Sequence, residues 1–524
     1  MATSMKSGNR FLKSAFIRAV VFSGFVLVIV IFTLRPSTDK VTSITQKFEY
    51  NLQEKPEIQN PVPDCSLNST RLQSLQQKYG LQQSIEYGVR NIKIRREDVE
   101  RKSLTRVNDD LFPEDFEVIN VDNPPQAATC WKPLELPVSK SPYPKTVDAS
   151  DLLFGISTTY KRLYDEKYSL MQDWTHWLTD GRGKSNGAGL ILRLVDASDE
   201  QIEETSHKLQ GMGIDVKVVH SNGSIPMAQR YLSLLPALYQ DASKRHRKWL
   251  VMCDDDTFFP SMHSLLDRLS TYNYKADLYI GTLSEDVFNI QRHGSQAFGG
   301  GGVFFTMHMA SVVATLYDSC STEQKLREAD SGWGPQGDIL LRKCVYENTE
   351  VRLTMLRELH QLDIMGDPSG FYESGVDPLS LHHFKGGMWH TANPYAGAQI
   401  IHACGEKCFL QRFLTTDDFI ISNGYSVAYY PRGIQFDVNQ MERTFHAAPD
   451  DYGWNLDFMM GPGRRSLIET GRKVAWEMKE SFVQDDGSVR QTYIRKADDH
   501  RWTEAPGGPK MFSLDGILEL IWIP

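Results

Sequence analysis

Three adjacent carboxylates follow an apolar run near the middle of the chain. Asp254, Asp255 and Asp256 come directly after residues 248–253, and neighbouring carboxylates at the end of a strand do not all ionise cheaply unless a cation gathers them. In an extended chain Asp254 and Asp256 point the same way, about 7 Å apart. Oxygen ligands favour Mn²⁺, or Mg²⁺, over zinc or copper. The triplet therefore predicts a divalent metal site, and the alternative is a solvated turn.

Four consecutive glycines, 299–302, stand between aromatic residues and lead into an apolar strand. Because glycine lets a backbone pass close to a ligand, the pattern predicts that Gly300, Gly301 and Gly302 face one; the alternative is a flexible hairpin. Further along, Asp338 stands at the start of a predicted helix. A carboxylate there can cap the helix and also act in catalysis.

Two histidines, His382 and His383, lie in an extended apolar segment. Successive side chains of a strand face opposite sides, so only one of the two can serve a metal. A purely structural role for the pair is the alternative.

The elements that must position these residues belong to a predicted α/β domain, residues 148–400. Apolar strands alternate there with amphipathic helices, the pattern of that class. Residues 401–524 show strand patterns among Gly- and Asp-rich turns and predict a β-rich C-terminal extension. We expect an isolated strand at 84–94, further strands at 152–158, 189–195, 216–219, 249–253, 419–430, 489–494 and 516–523, and helices at 70–81, 163–178, 199–211 and 227–243.

The N-terminal part of the chain predicts a membrane anchor and a stem. Residues 15–34 form an apolar run in which Arg18 is the only charge, long enough for one spanning helix. The basic residues of 1–14 place that tail in the cytosol by the positive-inside rule. Residues 35–147 hold eleven of the 24 prolines and predict a partly folded lumenal stem. A cleaved signal peptide is the alternative, but no small-x-small cleavage site follows the run.

The cysteines favour an oxidising compartment. The chain has seven, and no CxxC pair or histidine cluster accompanies them, so disulfides fit better than a zinc site. Cys253 lies in an apolar strand and is the predicted free thiol. The short separation of Cys404 and Cys408 favours a bond between them.

The charge and the sequons bear on partners and location. The formal net charge is -9, from 57 basic and 66 acidic residues. Such a chain lacks the excess of positive charge that binding to a polyanion requires, which excludes nucleic acid as a partner. N-glycosylation sequons at Asn68 and Asn222 agree with a lumenal location.

The order and spacing of the motifs resemble the Fringe-like branch of the β1,3-glycosyltransferases over about residues 150–390. The likeness rests on DDDTFF after a strand, then FGGGGVFF, GDILLRKC and GDPSGFYESGVDPLSLHHF. It implies a GT-A, Rossmann-like fold, a UDP-sugar donor, Mn²⁺ and inversion at the anomeric carbon. It also implies a Golgi membrane protein of single-pass type II topology, with its catalytic domain in the lumen.

Carried across residue by residue, the resemblance assigns the metal to Asp255, Asp256 and His383. Asp338 matches the general base, although relatives often show two acids where this chain has Gly337 and Asp338. A larger set is assigned to the donor, namely Thr158, Thr159, Arg162, Asp254, Gly300, Gly301 and Gly302.

The resemblance also bears on the disulfides. Cys320 and Cys344 resemble a family disulfide, and Cys65 and Cys130 are then the residual pair.

The predicted function is transfer of a sugar from a UDP-sugar to a glycan or glycoprotein acceptor, of the β1,3-galactosyl- or N-acetylglucosaminyltransferase type. A direct displacement needs one base and an electrophile that holds the departing diphosphate, which a metal supplies without a second carboxylic acid. A retaining glycosidase would need two facing carboxylates, and nothing singles out such a pair. A non-catalytic lumenal sugar-binding protein and a metal-dependent phosphohydrolase are the alternatives, and a homodimer is left open.

Overall fold

The computed structural model describes residues 64–446 and 454–524. The predicted cytoplasmic tail and anchor, residues 1–34, lie outside these ranges and stay predictions. Within the two ranges, no helix combines the length and the apolar character that a membrane crossing needs.

A seven-stranded mixed sheet forms the centre of the α/β region. Its strand Leu152–Thr159 pairs in parallel with Gly189–Val195 on one side and with Trp249–Met252 on the other. These strands are buried along nearly their whole length, as expected for continuous aliphatic runs in a parallel sheet. The α/β prediction is confirmed here. The order across the sheet is Leu353–Met355, Tyr279–Gly281, Val303–Thr306, Trp249–Met252, Leu152–Thr159, Gly189–Val195 and Asp215–Ser221.

One predicted helix has the predicted bounds. It spans Asp199–Gly211 and begins with a capping box. The Ser198 side chain accepts from the Gln201 backbone N–H, and the Gln201 side chain accepts from the Ser198 backbone N–H. Two N–H groups that have no partner inside the helix are satisfied in this way, so the local sequence alone marks where the helix begins.

Two other predicted helices differ from the structure. The predicted helix 163–178 forms only over Leu170–Leu178, and Ser169 before it adopts a left-handed conformation, with φ 50°. The predicted helix 227–243 is interrupted at Ser233, since Pro236 has no N–H for the helical ladder. The described helices are Ser69–Tyr79, Tyr160–Leu163, Leu170–Leu178, Asp199–Gly211, Met227–Leu232, Leu234–Gln240, Met262–Ser270, Val287–His293, Met307–Cys320, Glu323–Glu328, Gly337–Asn348, Ser369–Tyr372, Pro394–Ala398, Ile401–Cys404 and Trp454–Met460.

A second, ten-stranded sheet joins the N-terminal and C-terminal parts of the described chain. Strand Ser84–Glu97 lies inside this sheet, parallel to Asp515–Ile523 and to Leu134–Ser139, and antiparallel to Glu117–Asn120. The prediction of an isolated strand at 84–94 is therefore wrong. Alternation along one strand carries no information about a partner at the other end of the chain.

The predicted stem and the predicted C-terminal extension thus build one sheet. The predicted strand 419–430 is a hairpin of Phe419–Ser422 and Ser426–Tyr429, with Gly424 at φ 82° in the turn. The order is Leu104–Arg106, Arg412–Leu414, Phe419–Ser422, Ser426–Tyr429, Val474–Val483, Val489–Arg495, Asp515–Ile523, Ser84–Glu97 and Glu117–Asn120, with Leu134–Ser139 also paired to Ser84–Glu97. Two short ladders, Met365–Gly366 with Phe445–His446 and Met441–Arg443 with Gly463–Arg465, complete the described strands.

The predicted disulfides are present. Cys320–Cys344 ties the end of helix Met307–Cys320 to helix Gly337–Asn348, which carries Asp338. Cys65–Cys130 and Cys404–Cys408 are also bonded. Cys253 is buried and free, as its place in an apolar strand predicts.

Both predicted glycosylation sites are accessible. The side chains of Asn68 and Asn222 are exposed to solvent, and glycosylation of either stays a prediction.

Candidate active site

The acidic triplet lies where strand Trp249–Met252 ends, at the edge of the seven-stranded sheet. Asp255 turns inward. Both of its oxygens accept from the Arg162 guanidinium, at N···O distances of 2.7 to 3.0 Å, and one also accepts from the Thr158 hydroxyl. The Trp174 ring N–H donates to the Asp255 carbonyl at 2.9 Å. Arg162 thus engages both oxygens of Asp255 in this structure, and the metal role that the resemblance implies for Asp255 stays a prediction.

Asp254 and Asp256 point toward His382 instead. His382 Nε2 lies 3.0 Å from Asp256 Oδ1 and 3.5 Å from Asp254 Oδ2. The second Asp256 oxygen accepts from Arg162 at 3.0 Å. Asp254 and Asp256 thus point the same way, as the sequence predicts, but they do so in a turn that the Thr257 N–H closes on the Asp254 carbonyl at 3.2 Å, and not through the alternation of an extended chain. We call Asp254, Asp256 and His382 the candidate cation site.

Charges in the candidate cation site compensate one another. Burial opposes ionisation of Asp256, but His382 and Arg162 hold the pKa of that carboxyl well below its usual range. Burial also opposes the charge of His382, yet Asp256 and Asp254 raise its pKa to about 9. Loss of solvation, together with the two neighbouring carboxylates, raises the pKa of Asp254 to about 6. At neutral pH the protonated His382 and Arg162 therefore offset two of the three negative charges of the triplet and leave about one for a further cation.

The two histidines serve different partners. His383 Nδ1 lies 2.7 Å from Asp363 Oδ1, and its ring stacks on Trp389 with centroids 4.5 Å apart. His383 has a left-handed φ of 52°, so the chain turns there and the strand rule does not choose between the pair. The implied metal ligand His383 is thus directed at Asp363, and His382 takes the place beside the carboxylates.

The glycine run 299–302 packs against the protein's own side chains. A Cβ on Gly300 would lie 2.0 Å from His382 Nδ1, and one on Gly301 would lie 2.6 Å from a threonine side chain. Gly302 has φ 90°, a conformation that favours glycine. The glycine backbone therefore passes close to the His382 ring, where the sequence predicts a close approach to a ligand. The glycine run thus helps to position His382.

The glycine run lies between Asp338 and the candidate cation site. Asp338 is the second residue of helix Gly337–Asn348, and its Oδ1 accepts from the Gly299 N–H at 3.1 Å. Burial and the charge of Asp254 raise the pKa of Asp338 to about 7. A carboxyl whose pKa lies near the working pH is suited to act as a general base. The structure therefore brings the predicted base and the predicted metal region together.

Three predicted donor-binding residues support the triplet. Thr158 and Arg162 are the partners of Asp255 described above, and the Arg162 guanidinium lies 4.2 Å from the centre of the Tyr168 ring. Thr159 accepts from the Arg162 N–H at 3.1 Å and begins a short helix. Direct contact between these residues and a donor stays a prediction.

The donor atoms of the candidate cation site fit a divalent ion by type, although they do not enclose one. Among residues 64–446 and 454–524, no three His, Cys, Asp or Glu side chains are spaced to hold an ion as they stand. Two carboxylates and one imidazole suit Mn²⁺. The buried Nδ1 of His382 has no hydrogen-bond partner in the described part. The ring is therefore held by polar contacts through Nε2 alone, the atom that would bind a metal.

Sequence reasoning missed several side chains of the site. His382 was an open alternative to His383, whereas Tyr231, Asp363 and Trp389 lie in none of the quoted motifs. A Cβ on Gly299 would lie 2.6 Å from the Tyr231 hydroxyl, which places that ring beside the glycine run. Isolated aromatic and acidic residues carry no signal that could have found them, because they reach the site only through folding.

Residues 193–387 match the family model described as Fringe-like. The match confirms the resemblance found in the motifs: the chain carries a domain similar to those of the Fringe-like glycosyltransferases.

Sequence identity to an individual relative is low. The chain is 26% identical over 194 residues to the beta-1,3-N-acetylglucosaminyltransferase radical fringe of Xenopus laevis, covering 34% of this chain and 52% of that protein. It thus spans about half the length of the curated relative that it matches.

Two solved structures are similar to part of the chain, with low sequence identity and low TM-scores. The galactosyltransferase LgtC in complex with donor and acceptor sugar analogues is 10% identical, with a TM-score of 0.28 over 42% of this chain and 77% of that chain. Mouse xyloside xylosyltransferase 1 in its apo form is 12% identical, with a TM-score of 0.24 over 36% of this chain and 78% of that chain.

Proposed function

We propose that this chain transfers a sugar from a UDP-sugar to a glycan or glycoprotein acceptor, with inversion and a β1,3 linkage. The proposal includes a GT-A fold, dependence on Mn²⁺ and residence in the Golgi membrane as a single-pass type II protein. Its supports are the motif order, the Fringe-like match over 193–387 and the apolar run 15–34. The site residues are Asp338 as base and the candidate cation site as holder of the donor diphosphate.

The observation that carries the proposal is the placement of Asp338 relative to the triplet. Its carboxyl has a pKa of about 7, raised by burial and by Asp254. It lies on its own helix, separated from the carboxylates of the triplet by the glycine run 299–302. An inverting displacement needs a base for the acceptor hydroxyl and a separate group that holds the leaving diphosphate, and Asp338 and the candidate cation site would fill these two roles.

The residues of the candidate active site have separate roles in the proposed reaction. Asp254, Asp256 and His382 would hold the metal, which supplies a Lewis acid for the departing diphosphate when bound. His382 must give up its Nε2 proton for this, since a metal ligand is a neutral imidazole. Asp338 takes the proton of the acceptor hydroxyl as its oxygen attacks the anomeric carbon.

A donor screen tests the proposal. The full chain is incubated with UDP-galactose, UDP-N-acetylglucosamine and UDP-glucose, with and without Mn²⁺, and thermal protection and UDP release are both recorded. We expect at least one donor to protect the chain and to release UDP only when Mn²⁺ is present. Asp318→Asn, at an exposed position of helix Met307–Cys320, serves as the control and should behave like the wild type. Absence of protection and of UDP release with all donors would contradict the proposal.

A further inference from the structure

A cavity of about 730 Å³ lies beside the candidate active site. Its volume is in the range of sites that bind small molecules, about 300–1,000 Å³. One part of its wall comes from the α/β region, including Gln172, Asp173 and Lys385, and another comes from the ten-stranded sheet, including Tyr425 and Lys479. The cavity is therefore formed where the C-terminal strands meet the Fringe-like region.

The cavity adjoins the candidate cation site through one buried ion pair. Lys385 follows His383 by two positions and donates to the carboxylate of Asp173, which is 3% exposed. Burial outweighs Lys385 and raises the pKa of Asp173 to about 6, with a smaller contribution from the charge of Asp256. Asp173 thus lies close enough to the triplet for the charge of Asp256 to affect the pKa of Asp173.

Each carboxylate that lines the cavity has a basic partner, and among the lining lysines and arginine only Lys167 has no carboxylate partner in the described part of the chain. Asp173 is paired with Lys385, and Glu477 is paired with Lys479 at 2.7 Å and with Arg501 at 2.5 Å. The remaining lining carboxylate, Asp367, lies 3.5 Å from the same arginine. A diphosphate would need several cations that are free of such partners, because two phosphate groups bring several negative charges, and the lining offers only Lys167. The cavity is therefore better suited to an uncharged ligand with many hydroxyl groups.

The cavity also offers an aromatic surface. The half-buried ring of Tyr425 stacks on the buried ring of Tyr372, with centroids 4.7 Å apart and an interplanar angle of 11°. Phe384, next to His383, contributes a further apolar wall. Sugar rings have an apolar face of C–H groups and an edge of hydroxyls, so a flat ring beside paired charges satisfies both kinds of surface.

We infer that this cavity binds a neutral oligosaccharide as the acceptor of the transfer reaction. The inference rests on the proposed function and adds to it the acceptor class and the part of the chain that selects it. Tyr425, Lys479 and Arg501 lie outside the Fringe-like match, which ends at residue 387. Acceptor choice would therefore depend on both walls of the cavity, and one of these walls lies outside the Fringe-like match.

A binding experiment with two ligands tests this inference. The full chain is applied to an array of neutral, sialylated and sulfated oligosaccharides, and the Kd values of the best neutral ligand and of UDP with Mn²⁺ are then measured. The first variant is Gln172→Trp, which fills the cavity from an exposed position of helix Leu170–Leu178, and the second is Tyr425→Ala. His207→Trp, at an exposed position of helix Asp199–Gly211, is the matched control.

We expect the wild type to bind neutral oligosaccharides. Both cavity variants should weaken this binding at least tenfold and leave the Kd for UDP within twofold, and His207→Trp should change neither. Binding of UDP but of no neutral saccharide would overturn the inference and leave the proposed function standing. Saccharide binding that neither cavity variant alters, or a loss of UDP binding in both, would also overturn it. A wild-type chain that binds no UDP or UDP-sugar would instead contradict the proposed function.

Discussion

Replacement of Asp338 by asparagine should stabilise the chain at alkaline pH while it abolishes most transfer. A carboxyl whose pKa is raised in the folded state holds its proton more tightly there than in the unfolded chain. Stability is therefore lost as the pH rises from the ordinary value of 3.8 to about 7, and the loss is complete above that value. An asparagine side chain cannot ionise, so the variant avoids this loss.

The magnitude follows from the raised pKa. The difference is about three units, and each unit corresponds to about 1.4 kcal/mol, which gives an upper limit of about 4 kcal/mol. Because the Asp338 side chain is partly exposed, solvent screening lowers the expected gain to about 1–3 kcal/mol. The neutral amide still accepts from the Gly299 N–H, so the two proteins should be about equally stable near pH 4.

The assay compares melting temperatures of the metal-free chain at pH 5 and pH 8. The advantage of Asp338→Asn over the wild type should be clearly larger at pH 8, and Asp318→Asn, at an exposed position, should show no such trend. Transfer by Asp338→Asn should fall by about 10²- to 10⁴-fold. The wild-type rate should rise through pH 7 as the base ionises and level off above about pH 8. A stability difference independent of pH, or near-normal transfer, would refute the reasoning.

Three other predictions concern the metal and the disulfide. Asp256→Asn should weaken Mn²⁺-dependent UDP binding at least about tenfold, measured by calorimetry. The melting temperature should also fall, because His382 and Arg162 lose a charged partner. Unchanged UDP affinity would contradict the candidate cation site. His382→Ala should reduce the same binding by about 10- to 100-fold, and His383→Ala should reduce it less. A larger loss in His383→Ala would instead support His383 as the metal ligand, as the family resemblance implies. Cys320→Ser with Cys344→Ser should destabilise the chain by about 2–4 kcal/mol in thermal or urea unfolding, and an unaltered midpoint would show that the bond does not constrain the unfolded chain.

The α/β region was largely predictable because its signals are local. Strand Gly189–Val195 is a continuous aliphatic run, and helix Asp199–Gly211 is marked by its capping box. The ten-stranded sheet was not predictable, since Ser84–Glu97 and Asp515–Ile523 pair across the length of the chain. A residue pattern reports the face that a strand buries but not the strand that it meets.

The site could be predicted as a set of residues but not as a set of contacts. Asp254 and Asp256 point the same way as predicted, although a turn and not strand alternation brings this about. The inward position of Asp255 depends on Arg162 from another strand end. His382 and His383 could not be separated, because the left-handed backbone at His383 breaks the strand pattern. Contacts between elements decide these points, and they appear only in the folded chain.

The stereochemistry of the transferred sugar tests the central claim most directly. With the donor selected by the screen, the full chain, Mn²⁺ and a neutral oligosaccharide acceptor, the anomeric proton of the new linkage is followed by NMR in the wild type and in Asp338→Asn. A single displacement assisted by Asp338 predicts a β-linked product from an α-linked UDP-sugar, formed by the wild type and reduced at least about 10²-fold in the variant. An α-linked product, or a β-linked product formed equally fast by Asp338→Asn, would contradict the account.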